Sequence, residues 1–534
     1  MHDVLERSWA SQETATDEER LPSISTPTFS VLFLNSKDAP NDDTEAPACF
    51  RDLNLDRVIE AVIAGHEEYR LAPFFHRPLH DPDAVRYRYE VMQDLEVGRC
   101  FEIFTAFGKA LHEVRNRIAN ATKSRYREQA DGLFLEAIEL YCDSVTICQS
   151  ALDEACPQSR GLRMFLQFLK RYLSSAEFRV IQAHAQALRQ SLSAVRYSIL
   201  IADAGFTVNH YRNEPDYSKE VEDVFERFKQ GSVKSYLIQY SETREMDHIE
   251  AQALEFVAQL NPDLFSDLAS FVRENREFQD PTILRFDREI QFYLAYLRHL
   301  AKFKEAGLPF CYAAISTNDW QIHSSDSFDL ALANKLLGNT EIVRNDFYLK
   351  GSERTFVVTG PNQGGKTTFA RSFGQLHYLA SIGCCIPGRE ARLFLPDRIF
   401  THFEKEEDIH DLRGKLHDDL VRIHAILAEA TAHSVLIMNE IFTSTTVQDA
   451  TMLSDRIMGK IVKLGALTVW VTFIDEVSEY GPQTVSMMST IVPNDPSCRT
   501  FKVIRKRADG LSYALSIAEK YRVTYSSLKT RVSA

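Results

Sequence analysis

No apolar run in this chain of 534 residues approaches the roughly 20 residues a membrane-crossing helix needs, so no membrane role is expected. The start, Met1-His2-Asp3-Val4-Leu5-Glu6, has neither the basic flank nor the apolar stretch of a secretory signal. The nine cysteines fall into no metal-ligand spacing. Cys384 and Cys385 are adjacent and the others scattered, which predicts reduced thiols and a cytoplasmic setting. Positive charge is also short, with 61 Lys and Arg against 75 Asp and Glu and a formal net charge of −14. That balance counts against a chain that coats nucleic acid indiscriminately, while leaving room for local contact.

What is present is the make-up of an ordinary globular protein, 44% hydrophobic and 25% charged. The length predicts roughly two to four domains. Residues 1–26 are polar and acidic and are expected to be mobile. Residues 28–34 read as one strand and 35–47 as a loop. From 53 to 307 the pattern is mostly helical, with helices expected over 58–66, 85–111, 134–152 and 161–190. The strongest stripe is Ile283, Phe286, Ile290, Tyr293, Leu297 and Leu300, spaced by three and four, and it stops at Gly307. Two short strands, 197–201 and 206–211, and a third over 233–238 predict a small β insertion across 197–245. From about 316 the texture changes to alternating strands and helices, which implies a mainly parallel sheet.

That last region holds the most informative run, Gly360-Pro361-Asn362-Gln363-Gly364-Gly365-Lys366-Thr367. It fits G-x-x-x-x-G-K-[ST], follows an apolar strand at 355–359 and precedes a helix-compatible segment at 368–380. The glycines let backbone N–H groups close around phosphates, and the helix N-terminus adds a favourable dipole. Lys366 is expected to reach the β and γ phosphates as the loop's one mobile cation. Thr367 offers its hydroxyl to magnesium, with Thr368 beside it. ATP and Mg2+ are the expected ligands.

A phosphate loop needs carboxylates at the end of a neighbouring strand. The buried run 435–438 ends in Asn439-Glu440. Asn439 stands where aspartate is the common choice and brings no charge to the metal. Glu440 is placed to polarise a water as general base. The hydroxyl-rich turn that follows, with Ser444, Thr445 and Thr446, is expected to contact a phosphate of its own subunit or of a partner. Three other clusters read as plain surface. His410, His417 and His424 recur every seven residues on a predicted helix, about 10 Å apart at 1.5 Å rise, too far for one metal. Arg115, Arg117, Lys123, Arg125 and Arg127, and the run Arg505-Lys506-Arg507, are more often solvated faces than DNA sites.

Taken in order, these residues resemble the MutS family. Its T-G-P-N-x-G-G-K-[ST]-[ST] is matched by residues 359–368 and its I-G-x-x-[VI]-P by 382–387. Its D-R-I-F-T is matched by 397–401, and its D-E-I-x-x-x-T-[ST] is approximated by 439–446. Its S-Y-G-I-x-[VI]-A is echoed by 512–518. Upstream, Asn345-Asp346 resemble the family's V-x-N-[DP] step. The resemblance implies an α plus α/β fold: a helical core and lever region over 47–315 with a β clamp at 197–245, then an ABC-type P-loop ATPase domain over 316–534, after an N-terminal segment 1–46. It also implies a homodimer through the ATPase domain, with Ser444 and Thr445 meeting nucleotide, and contact with duplex or branched DNA mainly through its backbone.

Three departures qualify this. The family's mismatch wedge, G-[FY]-[FY]-E, is not found, so mismatch readout is not expected. Phe473 replaces the family's histidine in Thr472-Phe473-Ile474. Ile342 stands where many members have an aromatic against adenine. Phe473 and Asn439 together predict slow hydrolysis. The reading is therefore an ATP-dependent DNA-binding protein of the repair and recombination class. The alternative is an ATP-binding switch or scaffold for a protein partner, and a small-molecule kinase is disfavoured by the long helical arms.

Overall fold

The computed structural model describes residues 30–508 apart from 36–38, 40–42, 203–204, 214–245, 405–413 and 493–494, together with 524, 525, 528 and 529. The first helices are α1 (Cys49–Leu53), α2 (Leu55–Ile63), α3 (Ala72–His76), α4 (Pro82–Glu96), α5 (Cys100–Lys123), α6 (Arg127–Ala155), α7 (Arg160–Ser174) and α8 (Ala176–Ala194). Two expected helices are each divided. The pattern over 85–111 is broken between α4 and α5, where Gly98 adopts φ +102, a conformation that side chains disfavour. The pattern over 161–190 is broken at Ser175, which is extended and accepts the Phe178 N–H on its Oγ at 3.2 Å, capping α8. Apolar spacing alone does not register such one-residue breaks, because the stripe resumes in phase beyond them. The expected helix at 58–66 starts and ends three residues earlier, as α2.

The strand expected at 28–34 does not form over its described part, although Ser30, Val31, Leu32 and Phe33 are buried. Side chains, not a β-ladder, satisfy this backbone. Glu289 accepts from Val31 N (2.9 Å) and Ser30 Oγ (2.7 Å). Tyr87 and Tyr293 hydroxyls donate to the carbonyls of Ser30 (2.7 Å) and Val31 (2.9 Å), and Arg88 Nε to that of Leu32 (2.9 Å). The apolar residues account for the burial, but the hydrogen-bonding partners lie outside the segment.

The hairpin of β1 (Tyr197–Ala202) and β2 (Gly205–His210) is present and antiparallel, with Ile199 opposite Val208. The third strand expected at 233–238 lies outside the described residues, as does most of 197–245. Helices resume with α9 (His248–Leu260), opened by a capping box between Asp247 and Glu250, then α10 (Pro262–Glu274) and α11 (Pro281–Glu305). The stripe of α11 is buried throughout.

Next come the small strands β3 (Phe310–Cys311), β4 (Ala314–Ser316) and β5 (His323–Ser327), helix α12 (Leu330–Leu336) and strand β6 (Asn345–Tyr348). The main sheet uses β7 (Thr355–Thr359), β10 (Ile399–Phe403), β11 (Val435–Asn439), β12 (Leu467–Val471), β13 (Thr484–Val492) and β14 (Asp495–Arg505); β8 (Ile386–Pro387) and β9 (Glu390–Phe394) join the smaller sheets. Its order is β10-β11-β12-β7-β13-β14, parallel up to the antiparallel β13–β14 hairpin at one edge. Helices α13 (Lys366–Ser381), α14 (Lys415–Glu429) and α15 (Val447–Leu464) complete this part. All five residues of β7, β11 and β12 are buried, as β-rich apolar runs in a covered parallel sheet require.

The helical and sheet regions share one core. Gln375 of α13 donates to the Leu53 carbonyl at 2.8 Å, Tyr378 to that of Phe75 at 2.8 Å, and Arg88 of α4 to that of Ile382 at 2.7 Å. Thr401 of β10 donates to Asp52 at 2.7 Å. Movement at α13 is therefore mechanically tied to α1–α4.

Candidate nucleotide-binding site

The carboxyl ends of β7, β11 and β12 lie together, since the register aligns Val358 with Val471 and Val471 with Asn439. Open α/β sheets bind ligands at this edge. The loop after β7 runs into α13, which starts at Lys366. Gly360 (φ +108) and Gly364 both sit against Ser489 of β13. A Cβ on Gly360 would lie 2.7 Å from Ser489 Oγ and 2.8 Å from its carbonyl, and one on Gly364 would lie 2.6 Å from that Oγ. The loop is thus pressed onto a neighbouring strand, with no room for side chains at those two positions.

Lys366 is 4% exposed. Its ammonium donates to the Gly360 carbonyl (2.9 Å) and to Asn362 Oδ1 (3.1 Å), and lies 3.8 Å from Glu440 Oε1. Burial pulls its pKa below the usual lysine range. Glu440 opposes that shift, and the nearby Arg499 adds to it. Arg499, on β14, donates its Nε–H to the Asn362 carbonyl at 3.2 Å. A second cation thus reaches the loop from outside it. It arrives from a strand more than 130 residues away in sequence, where no motif marks it.

Glu440 follows β11 in a strained turn, with Glu440 at φ +51 and Phe442 at φ +64. Its own N–H is held by the Val471 carbonyl at 2.9 Å. Buried Asp419 of α14 accepts the Phe442 N–H at 3.4 Å, and its other oxygen faces Nε2 of buried His402 at 3.2 Å. This pair, which sequence reasoning did not single out, steadies the turn that presents Glu440. Asn439 is 6% exposed and its Oδ1 has no protein hydrogen-bond partner.

A pocket of about 440 Å3 opens along this edge. Its lining joins Gln363, Gly364, Gly365, Lys366, Thr367, Thr368 and Glu440 to the apolar Leu332, Leu336, Ile342 and Phe501. The remaining residues named from the sequence, Gly360, Pro361, Asn362 and Asn439, are not among its lining. Ser444 and Thr445 lie away from it, in the turn before α15, and Thr446 caps that helix by accepting the Asp449 N–H at 3.2 Å. Phe473 is exposed. His417 and His424 are exposed, His410 lies outside the described residues, and no metal-holding cluster occurs among the described residues.

The donor set fits a magnesium nucleotide: a cradle that any Cβ would fill, a buried ammonium, a helix N-terminus, a hydroxyl at Thr367 and an orphaned buried oxygen on Asn439. Residues 356–530 match the family description MutS domain V. These residues carry the MutS family's domain V. The chain is 24% identical to the DNA mismatch repair protein MutS of Thermotoga petrophila over 303 residues, 56% of this chain and 37% of that protein. It is 26% identical over 285 residues to the Endonuclease MutS2 of Thermus thermophilus, covering 50% of this chain and 37% of that one. With the MutS of Bacillus pumilus it shares 25% over 244 residues, 43% and 28% of the two chains. The chain spans less than two fifths of the length of these relatives. The motif segment echoed at 512–518 lies outside the described residues, and no described helix is long and apolar enough to cross a membrane.

The arginines of α5 and α6 are largely committed to carboxylates. Arg115 pairs with Asp287 (2.8 Å) and Glu68 (3.4 Å), Arg117 with Glu136 (3.0 Å), and Arg127 with Asp131 (3.7 Å). Arg505 pairs with Glu353 and lies over the Tyr348 ring.

Proposed function

We propose that this chain is a MutS-type ATP-dependent DNA-binding protein of the repair and recombination class. The observation that carries this reading is the phosphate loop with buried Lys366, facing Glu440 across 3.8 Å within MutS domain V. Residues 360–368 would hold the phosphates, and Thr367, Asn439 and Glu440 would hold magnesium. Magnesium, when bound, neutralises phosphate charge and orders the reacting oxygens. Glu440 orients a water and accepts its proton. Asn439 contributes no charge and Phe473 no imidazole, so hydrolysis is slow and nucleotide acts chiefly as a switch.

Residues 316–534 form the ABC-type ATPase domain and 47–315 the core and lever, with 197–245 as clamp and 1–46 as a leading segment. The chain works in the cytoplasm as a homodimer. Ser444, which is exposed, and the half-buried Thr445 do not line their own pocket and reach the partner's nucleotide. Nucleotide state passes through α13 to α1–α4, to which it is hydrogen-bonded. DNA, duplex or branched, is held by its phosphates without mismatch readout. The carboxylate pairing of Arg115, Arg117 and Arg127 favours a second reading, in which the switch acts on a protein partner.

The test is anisotropy binding of the pure protein to homoduplex, single-mismatch and four-way-junction DNA at two salt concentrations, with and without ATP. The reading expects binding that weakens steeply with salt, and no preference for the mismatch. Absence of binding to all three transfers the conclusion to the protein-partner switch.

A further inference from the structure

We infer that Phe501 is the platform on which the base of the nucleotide stacks; this rests on the nucleotide reading above and adds to it the recognition of the base. Strand β14 is irregular at this residue. Ser489 pairs with Val503 and Ile491 with Arg499, so the single residue Thr490 faces three, Thr500, Phe501 and Lys502. Such bulges redirect a side chain at the cost of ladder bonds. Phe501 sits at φ +58, a conformation that disfavours a bulky side chain.

The irregularity is held from several sides. Asn345 donates through Nδ2 to the Phe501 carbonyl (3.3 Å) and accepts the Val503 N–H on Oδ1 (2.7 Å). The Thr490 hydroxyl meets that of Thr500 at 2.5 Å and donates to the Lys502 carbonyl at 3.2 Å. The Phe501 backbone packs against the phosphate loop, with its Cα 3.5 Å from the place a Cβ on Gly365 would take.

This pinned geometry leaves the ring 48% exposed on the wall of the pocket, away from the main core. Leu332, Leu336 and Ile342 add apolar surface to the same pocket, which Lys366 and Thr367 also line. A ligand that uses both kinds of lining needs a polyanion joined to a flat apolar group, and a nucleoside triphosphate is such a molecule. A planar base against a phenyl face gains contact that a saturated side chain does not give, and a purine gains more than a pyrimidine because it covers more of the ring.

The experiment is calorimetric titration of the full chain with MgATP, MgCTP and magnesium tripolyphosphate, for wild type, Phe501→Leu and Phe501→Trp. Wild type is expected to bind ATP more tightly than CTP. Phe501→Leu, which keeps apolar bulk at the bulge, should weaken ATP about tenfold and leave tripolyphosphate within about twofold. Phe501→Trp should keep ATP affinity and show an indole emission change on adding ATP, absent with tripolyphosphate and in the wild type. Unchanged ATP binding by Phe501→Leu overturns the stacking role. Equal losses of ATP and tripolyphosphate overturn it too, by making Phe501 a support of the loop. Wild type that binds neither ligand removes the nucleotide site itself, and the platform with it.

Discussion

Replacing Gly364 by alanine tests the seat of the phosphate loop with a rescue built in. The new Cβ would lie 2.6 Å from Ser489 Oγ, 3.1 Å from Ser489 Cβ and 2.8 Å from the Pro361 carbonyl. Two of these three atoms belong to one side chain on β13. Ser489 is fully buried, so it has little space to withdraw into, and overpacking of this kind costs about 1–3 kcal/mol. If the loop relieves the clash by moving, MgATP affinity falls roughly 5- to 150-fold, at 1.4 kcal/mol per factor of ten. Adding Ser489→Gly removes two of the contacts and should restore most of the affinity, leaving the Pro361 carbonyl as residue of the strain. Gly360→Ala should resist the same rescue. Its Cβ meets the Ser489 carbonyl at 2.8 Å, and φ +108 is unfavourable whatever the space. The assay is calorimetry with MgATP on the three variants and their double mutants, with circular dichroism to confirm folding. Wild-type affinity in Gly364→Ala, or equal rescue of both glycine variants by Ser489→Gly, would refute the packing argument.

Glu440→Gln should retain MgATP and lose whatever hydrolysis the wild type has, and phosphate release at the wild-type rate would place water activation elsewhere. Asn439→Asp should tighten the magnesium dependence of ATP binding, read by titrating the metal at fixed ATP, because it puts a charge on a buried oxygen that now has no protein partner. Arg499→Ala should weaken ATP by roughly tenfold or more, in keeping with one charge-assisted bond, and should let the Lys366 pKa rise; an unchanged ATP affinity would leave Arg499 a brace for Asn362 alone. Burial lowers the pKa of His377 to about 4, from an ordinary 6.5. The neutral form is the one the fold accepts, so its contribution is complete above about 6.5 and is lost as pH falls towards 4, on the order of 3 kcal/mol. Buried Asp287, raised to about 6 by desolvation against the pull of Arg115, acts in the opposite sense, since it costs stability as pH rises from about 4 through 6. His377→Leu should therefore flatten the acid side of the melting-temperature profile between pH 6.5 and 5; an unaltered profile would show that the imidazole is not the titrating group.

The phosphate loop was legible because its geometry is local. The glycines, Lys366 and Thr367 are consecutive, and strand and helix flank them in register. Glu440 was legible for the same reason, at the end of an apolar run. The other wall was not. Arg499, Phe501 and Ser489 come to the loop through β13 and β14, and only the sheet order β7-β13-β14 brings them there. Phe501 in particular depends on a bulge, which a period-two reading of residues 495–505 smooths away. The buried segment 30–33 illustrates the complementary failure: its composition suggested a strand and could not reveal that Glu289, Tyr87 and Tyr293 supply its hydrogen bonds. The breaks at Gly98 and Ser175 were passed over because the hydrophobic stripe continues beyond them.

The central claim is that nucleotide held at Lys366 governs DNA binding, and the most direct measurement is the affinity for a four-way junction with and without saturating MgATP, in the wild type and in Lys366→Ala. The account predicts that ATP shifts the wild-type dissociation constant at least severalfold and leaves that of folded Lys366→Ala unchanged. An equal shift in both proteins, or junction binding by the wild type with no response to ATP, would contradict it.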